Sequence, residues 1–154
     1  MKIPVAVLLV TAAALTLPSC SSLTLESVGY GWPVESVVTV ARNNMVDEGR
    51  YVLACNVARL AQEEFQDTTA LIGVQLRLLR NNDGLYFITG PKFKHVYVFA
   101  PGDHQLSLRS AIEVTKTGLE NPALNLRPPY VELIDGDNFK RMLSNDDIVE
   151  GKRQ

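Results

Sequence analysis

From Leu71 to Ser110 the chain repeats one pattern, short runs of alternating apolar and polar side chains separated by residues that reverse the backbone. Ile72, Val74, Leu76 and Leu78 take one side of an extended chain, and Gly73, Gln75 and Arg77 take the other. That period of two is the signature of a half-buried strand. Asn81-Asn82-Asp83-Gly84 follows, and Asn, Asp and Gly tolerate the positive φ that a tight hairpin needs. Leu85 to Thr89 reads as the return strand and Gly90-Pro91 as the next reversal. Lys94 to Phe99 sets His95, Tyr97 and Phe99 against Val96 and Val98, Pro101-Gly102-Asp103 makes a turn, and His104 to Ser110 follows as another strand. Short strands joined by close turns argue for a β-sandwich or a small barrel, with antiparallel pairing and one wet face per sheet. The expected class is α+β, mainly β: an antiparallel β-sandwich with one N-terminal helix.

The helix is expected over Asn44 to Gln66. Asn44 precedes Asp47 and Glu48, and an Asn that accepts orphan amide hydrogens, followed by early carboxylates, is a helix start signal. Val46, Leu53, Val57, Leu60 and Ala61 then recur along one face, with Phe65 near its end. The competing reading is a strand through Arg50 to Val57, because Tyr51-Val52-Leu53 also suits a sheet. Val34 to Val40 is rich in β-branched residues and reads as a first strand. Asn121 to Tyr130 holds three prolines and reads as an extended arm or a crossover between sheets. Asn145 to Gln154 is polar and reads as a frayed end.

The N-terminus carries a different message. Met1-Lys2 precedes an uncharged run from Ile3 to Leu17, followed by Pro18-Ser19-Cys20. This is the layout of an export signal, and at 1.5 Å per residue the run falls short of the roughly 30 Å of a hydrocarbon core. Leu17-Pro18-Ser19-Cys20 resembles the lipobox of bacterial lipoproteins. The resemblance implies that Cys20 is acylated and becomes the first mature residue, tying the protein to the membrane through its lipid; the alternative is an ordinary cleaved signal, Cys20 an incidental thiol and the product an exported soluble protein. Ser21 after the cysteine implies outer-membrane sorting in a Gram-negative cell. Two or more acyl chains make a stable anchor where one is marginal. The expected organisation is a signal peptide over residues 1–19, a lipidated tether over 20–33, one β-rich periplasmic domain over 34–144 and a polar tail over 145–154. The mature chain of roughly 135 residues suits a single core.

Charge and cysteine content narrow the function classes. The net charge is −2 with both signs interspersed, so the basic stripe expected of a nucleic-acid binder is missing. If Cys20 carries lipid, Cys55 is the only remaining thiol and has no intramolecular partner. Its apolar neighbours Tyr51 to Ala54 suit a small buried hydrophobe. Two histidines and one cysteine give no metal-ligand spacing, and Asp135-Gly136-Asp137 lacks the further acids of a calcium loop. No metal, cofactor or catalytic residue is therefore expected. His104 beside Asp103 is the nearest approach to an acid–base pair, but neighbours in a strand point to opposite faces.

A second resemblance lies in Val96-Tyr97-Val98-Phe99-Ala100-Pro101-Gly102-Asp103-His104-Gln105-Leu106-Ser107-Leu108, which is similar to the strand, Pro-Gly turn and His-led strand of PEGA-type and related small envelope β-sandwiches. Val131-Glu132-Leu133-Ile134-Asp135-Gly136-Asp137 is similar to the strand and Gly turn that follow in them. This implies a binding or scaffolding module of the cell envelope, usually without catalysis. The leading expectation is thus a lipid-anchored, non-catalytic protein that binds an envelope protein partner. Its candidate interaction surface is Trp32, Tyr86, Tyr97, Pro128, Pro129 and Tyr130. The alternatives are a glycan or peptidoglycan binding module, for which Trp32, Tyr86 and Tyr97 would have to be exposed, and a hydrolase using His104 with an acid.

Overall fold

The structure is a computed structural model that describes residues 35–137 and 139–149. In chain order its elements are β1 (Ser36–Thr39), β2 (Met45–Glu48), β3 (Leu53–Asn56), α1 (Ala58–Phe65), β4 (Gln75–Arg80), β5 (Tyr86–Thr89), β6 (His95–Gly102), β7 (Gln105–Glu113), β8 (Pro122–Arg127), β9 (Tyr130–Asp135), β10 (Phe139–Leu143) and β11 (Ile148–Val149). The described residues are mainly β, antiparallel throughout, with one short helix. A five-stranded sheet has the order β1-β4-β5-β6-β7, a four-stranded sheet the order β11-β10-β9-β8, and β2-β3 form a separate pair. Among the described residues no helix is long and apolar enough to cross a membrane.

The alternation from residue 75 onward builds the five-stranded sheet. Leu79, Phe87 and Val98 stand in register on one face, and Leu78, Ile88 and Tyr97 on the other. All six are buried, so this sheet is covered on both sides, which is why β5 carries no polar face. On the first side, Glu35 joins the two sheets: its carboxylate accepts from Arg77 of β4 at 3.0 Å and from the Leu124 amide of β8 at 2.7 Å. Leu124, Val131, Leu133 and Leu143 of the four-stranded sheet belong to the same core as Leu79 and Phe87. On the second side lie the β2-β3 hairpin and α1. Tyr51 meets Tyr86 edge-on at 5.9 Å, and Phe65 meets Phe93 edge-on at 5.3 Å.

The long helix expected over Asn44 to Gln66 is corrected to a hairpin followed by an eight-residue helix. Asn44 sits at φ 61 in the turn between β1 and β2, and its buried side-chain oxygen has no hydrogen-bond partner among the described residues. Asn56 serves the helix start instead, its Oδ1 accepting from the Ala58 amide at 2.9 Å. Gln66, at φ 58, stops the helix in the left-handed cap that commonly ends one. The spacing of Val46, Leu53 and Val57 fitted a helical face by coincidence, and the strand reading through Arg50 to Val57 was nearer. Two further expectations change. The proline segment is no loop: Pro122 to Arg127 is β8, and Pro128-Pro129, joined by a cis bond, turn the chain into β9. Residues 145–149 are no frayed end, because β11 pairs with β10 and Asn145 is bonded to Asn81 and Asp83, and the rest of the expected tail lies outside the described residues.

Candidate functional site

A groove of about 1070 Å³ opens between the β2-β3 hairpin with α1 on one wall and the projecting β6-β7 ribbon on the other. Tyr86, Phe99 and Leu108 stand in one row across β5, β6 and β7, and Pro101 and Leu106 form the next. This is the sheet face that the hairpin and helix cover, but their cover stops short of the ribbon. Leu108 is therefore 46 % exposed. The opposite rim is Val52 at the hairpin tip, 92 % exposed at φ 52. A β-branched residue is a conformational outlier there, since the left-handed region crowds its Cβ.

The hairpin tip is held from below. The Glu48 carboxylate accepts from the Ser36 hydroxyl at 2.6 Å, the Tyr51 amide at 2.9 Å and Arg50 Nε at 3.1 Å, while Arg50 also reaches the Glu35 carbonyl at 3.0 Å and the Ser36 hydroxyl. Burial alone would raise the Glu48 pKa, but the bonds from Ser36, Tyr51 and Arg50 hold it below its ordinary 4.5. Strain at Val52 is thus carried by an anchored turn, an arrangement that recurs at binding sites.

Cys55 borders the groove, half-buried, and burial pushes its thiol up from its ordinary value. It rests there as a thiol and not as a thiolate nucleophile. His104 also borders the groove, in the β6-β7 turn at φ 60, and no hydrogen bond joins its side chain to Asp103 among the described residues. Arg59 and Glu63 of α1 stand at the wall as an exposed ion pair at 3.4 Å.

A second polar cluster lies where α1 meets β6. The Glu64 side chain is 1 % exposed and accepts from the Tyr97 hydroxyl at 2.7 Å and the Lys94 amide at 2.5 Å, with His95 Nδ1 at 2.8 Å. Burial, then the bond to Glu64, pushes the Tyr97 phenol up from its ordinary 10.0, so it remains a donor. This cluster pins the helix to the sheet. Among the described residues no group of three or more His, Cys, Asp or Glu is placed to hold a metal ion.

The expected interaction surface is dispersed. Cys20 and Trp32 lie outside the described residues. Tyr86 and Tyr97 are corrected from surface to core: they are 6 % and 3 % exposed, because strands β5 and β6 are covered on both faces. Tyr86 still contributes to the floor of the groove. Pro128 and Pro129 are exposed beside Asn81, Asn82 and Asp83, where a smaller hollow of about 450 Å³ forms, and Tyr130 is exposed next to them in β9. Sequence reasoning missed Val52 and Leu108, since an exposed apolar residue is invisible until its cover is known. In comparisons with known proteins, no family model, curated protein or solved structure matches this chain.

Proposed function

We propose that the protein is a lipid-anchored, non-catalytic binding or scaffolding module of the bacterial cell envelope, held by lipid on Cys20 and docking a protein partner at the groove. The anchor rests on the sequence from Met1 to Cys20. The docking role rests on one observation above others, the exposure of Val52 and Leu108 on facing rims of a wide groove. Apolar side chains left in water on two facing walls mark an interaction site when they rim one concavity. A glycan module would need aromatic platforms in water, and the burial of Tyr86 and Tyr97 removes two of the three offered for it. The test is mild in-cell crosslinking of the tagged full-length protein beside Cys20→Ser and Leu108→Ser versions. A specific partner lost in both variants supports the reading. A partner-free protein, or capture indifferent to both substitutions, would sink it.

A further inference from the structure

Resting on that docking role, we infer that the groove takes its partner by strand addition, receiving an extended, uncharged polypeptide segment along the outer edge of β3. The phase of the β2-β3 ladder fixes which groups are on offer. Val57 N–H donates to the Asn44 carbonyl at 2.8 Å, so in the same register Cys55 faces Val46, and Leu53 faces Glu48, through hydrogen bonds. The alternate residues, Ala54 and Asn56, direct their amide and carbonyl away from β2. Among the described residues no strand pairs with β3 on that side.

The groove runs along this edge. All four residues of β3 border it although their side chains alternate between faces, as they do in a groove that follows the strand's edge. An edge of unpaired amides and carbonyls is a template for another backbone, and proteins usually guard one with charge, proline or a bulge. Leu-Ala-Cys-Asn carries no charge and no proline, so shortness is the guard that remains.

The facing wall sets what the added segment must carry. Phe99, Leu106 and Leu108 offer apolar contacts on the β6-β7 side, which a strand meets with every second side chain. The bordering charges of Arg59 and Glu63 already answer each other. A charged residue entering between the walls would lose water without finding a counter-charge, whereas a neutral segment matches the neutral groove. The occupant is thus an uncharged segment with apolar residues at alternate positions, contributed by a partner protein.

The experiment uses the full-length protein in detergent and a synthetic heptapeptide, acetyl-Ser-Val-Thr-Val-Ser-Leu-Thr-amide, with a second peptide N-methylated at alternate residues to remove the donors of one edge. The expected result is saturable binding, with exchange of the Ala54 and Asn56 amides slowed by about tenfold or more. Binding should weaken at least about tenfold, equivalent to roughly 1.4 kcal/mol, for the N-methylated peptide and for Ala54→Pro, which removes an amide the ladder does not use. The peptide comparison stands even if the proline variant fails to fold. Equal binding of both peptides would overturn the inference. So would Ala54 and Asn56 amides protected before peptide is added, whether by the chain's own residues or, with concentration-dependent association, by a second copy. A crosslinked partner that maps away from β3 removes this inference and leaves the docking role intact; peptide binding without any cellular partner does the reverse.

Discussion

Glu64 and Glu48 are two carboxylates withdrawn from water, Glu64 satisfied from far along the chain and Glu48 by Ser36 together with its near neighbours Arg50 and Tyr51. Glu64 meets an amide, a phenol and an imidazole some thirty residues on, and a neutral amide in its place would set two donors against them. Glu64→Gln is expected to destabilise the protein by about 2 kcal/mol, measured by urea unfolding, with no change expected at the groove. Glu48 gives a pH signature. Its folded pKa lies below the ordinary 4.5, so its contribution is present above that value and lost as pH falls through the folded one. Wild-type stability should therefore decline more steeply than that of Glu48→Gln below about pH 4.5; parallel slopes would show that Glu48 is not held as charged as its bonds imply. Neither role was legible in the sequence, where Glu48 read as an early helix acid and Glu64 fell near the end of the same expected helix. The meaning of Glu64 lies in partners some thirty residues away that no local pattern records, and that of Glu48 in Ser36 and in a hairpin turn that the sequence presented as helix.

At the scale of elements, legibility followed the locality of the signal. Strands β4 to β7 showed themselves through alternation and turn residues close in sequence, and their positions agree with the structure within a few residues. The β2-β3 hairpin did not, because a four-residue strand holds too few positions to separate period two from period 3.6, and Tyr51 decides the matter through its contact with Tyr86. The hairpin tip keeps a backbone cost at Val52, which the proposed docking role would explain. Replacing Val52 by Asn, which tolerates left-handed backbone, is expected to stabilise the protein by about 1 kcal/mol while weakening partner capture. A rise in thermal midpoint with capture unchanged would remove Val52 from the docking surface.

Across the whole molecule, the two larger sheets are joined at both ends of the four-stranded one. Glu35 ties β4 to β8 at one side. Asn145, in the turn before β11, bonds to Asn81 and Asp83 beyond β4, and its carbonyl accepts from Ser110 of β7. Asn145→Ala is expected to cost about 1–2 kcal/mol, because it strands the Asn81 amide. Asp146→Asn, which loosens only a solvent-exposed pair with Arg109, should leave the unfolding midpoint nearly unchanged; the reverse order would mean that surface charge joins the sheets. The placement of β1 beside β4 has a further consequence, one of time. Strands β4 to β7 pair as successive hairpins, whereas β1 must wait until the hairpin and helix between it and β4 have been bridged, at a higher loop-closure entropy. The folding nucleus is expected in the β4–β7 meander, with φ-values well above those of β1, so that a substitution at Val38 quickens unfolding and one at Phe87 slows folding. Equal φ-values at the two positions would contradict that order. The strand that leads the domain in sequence is then the last of its sheet to arrive.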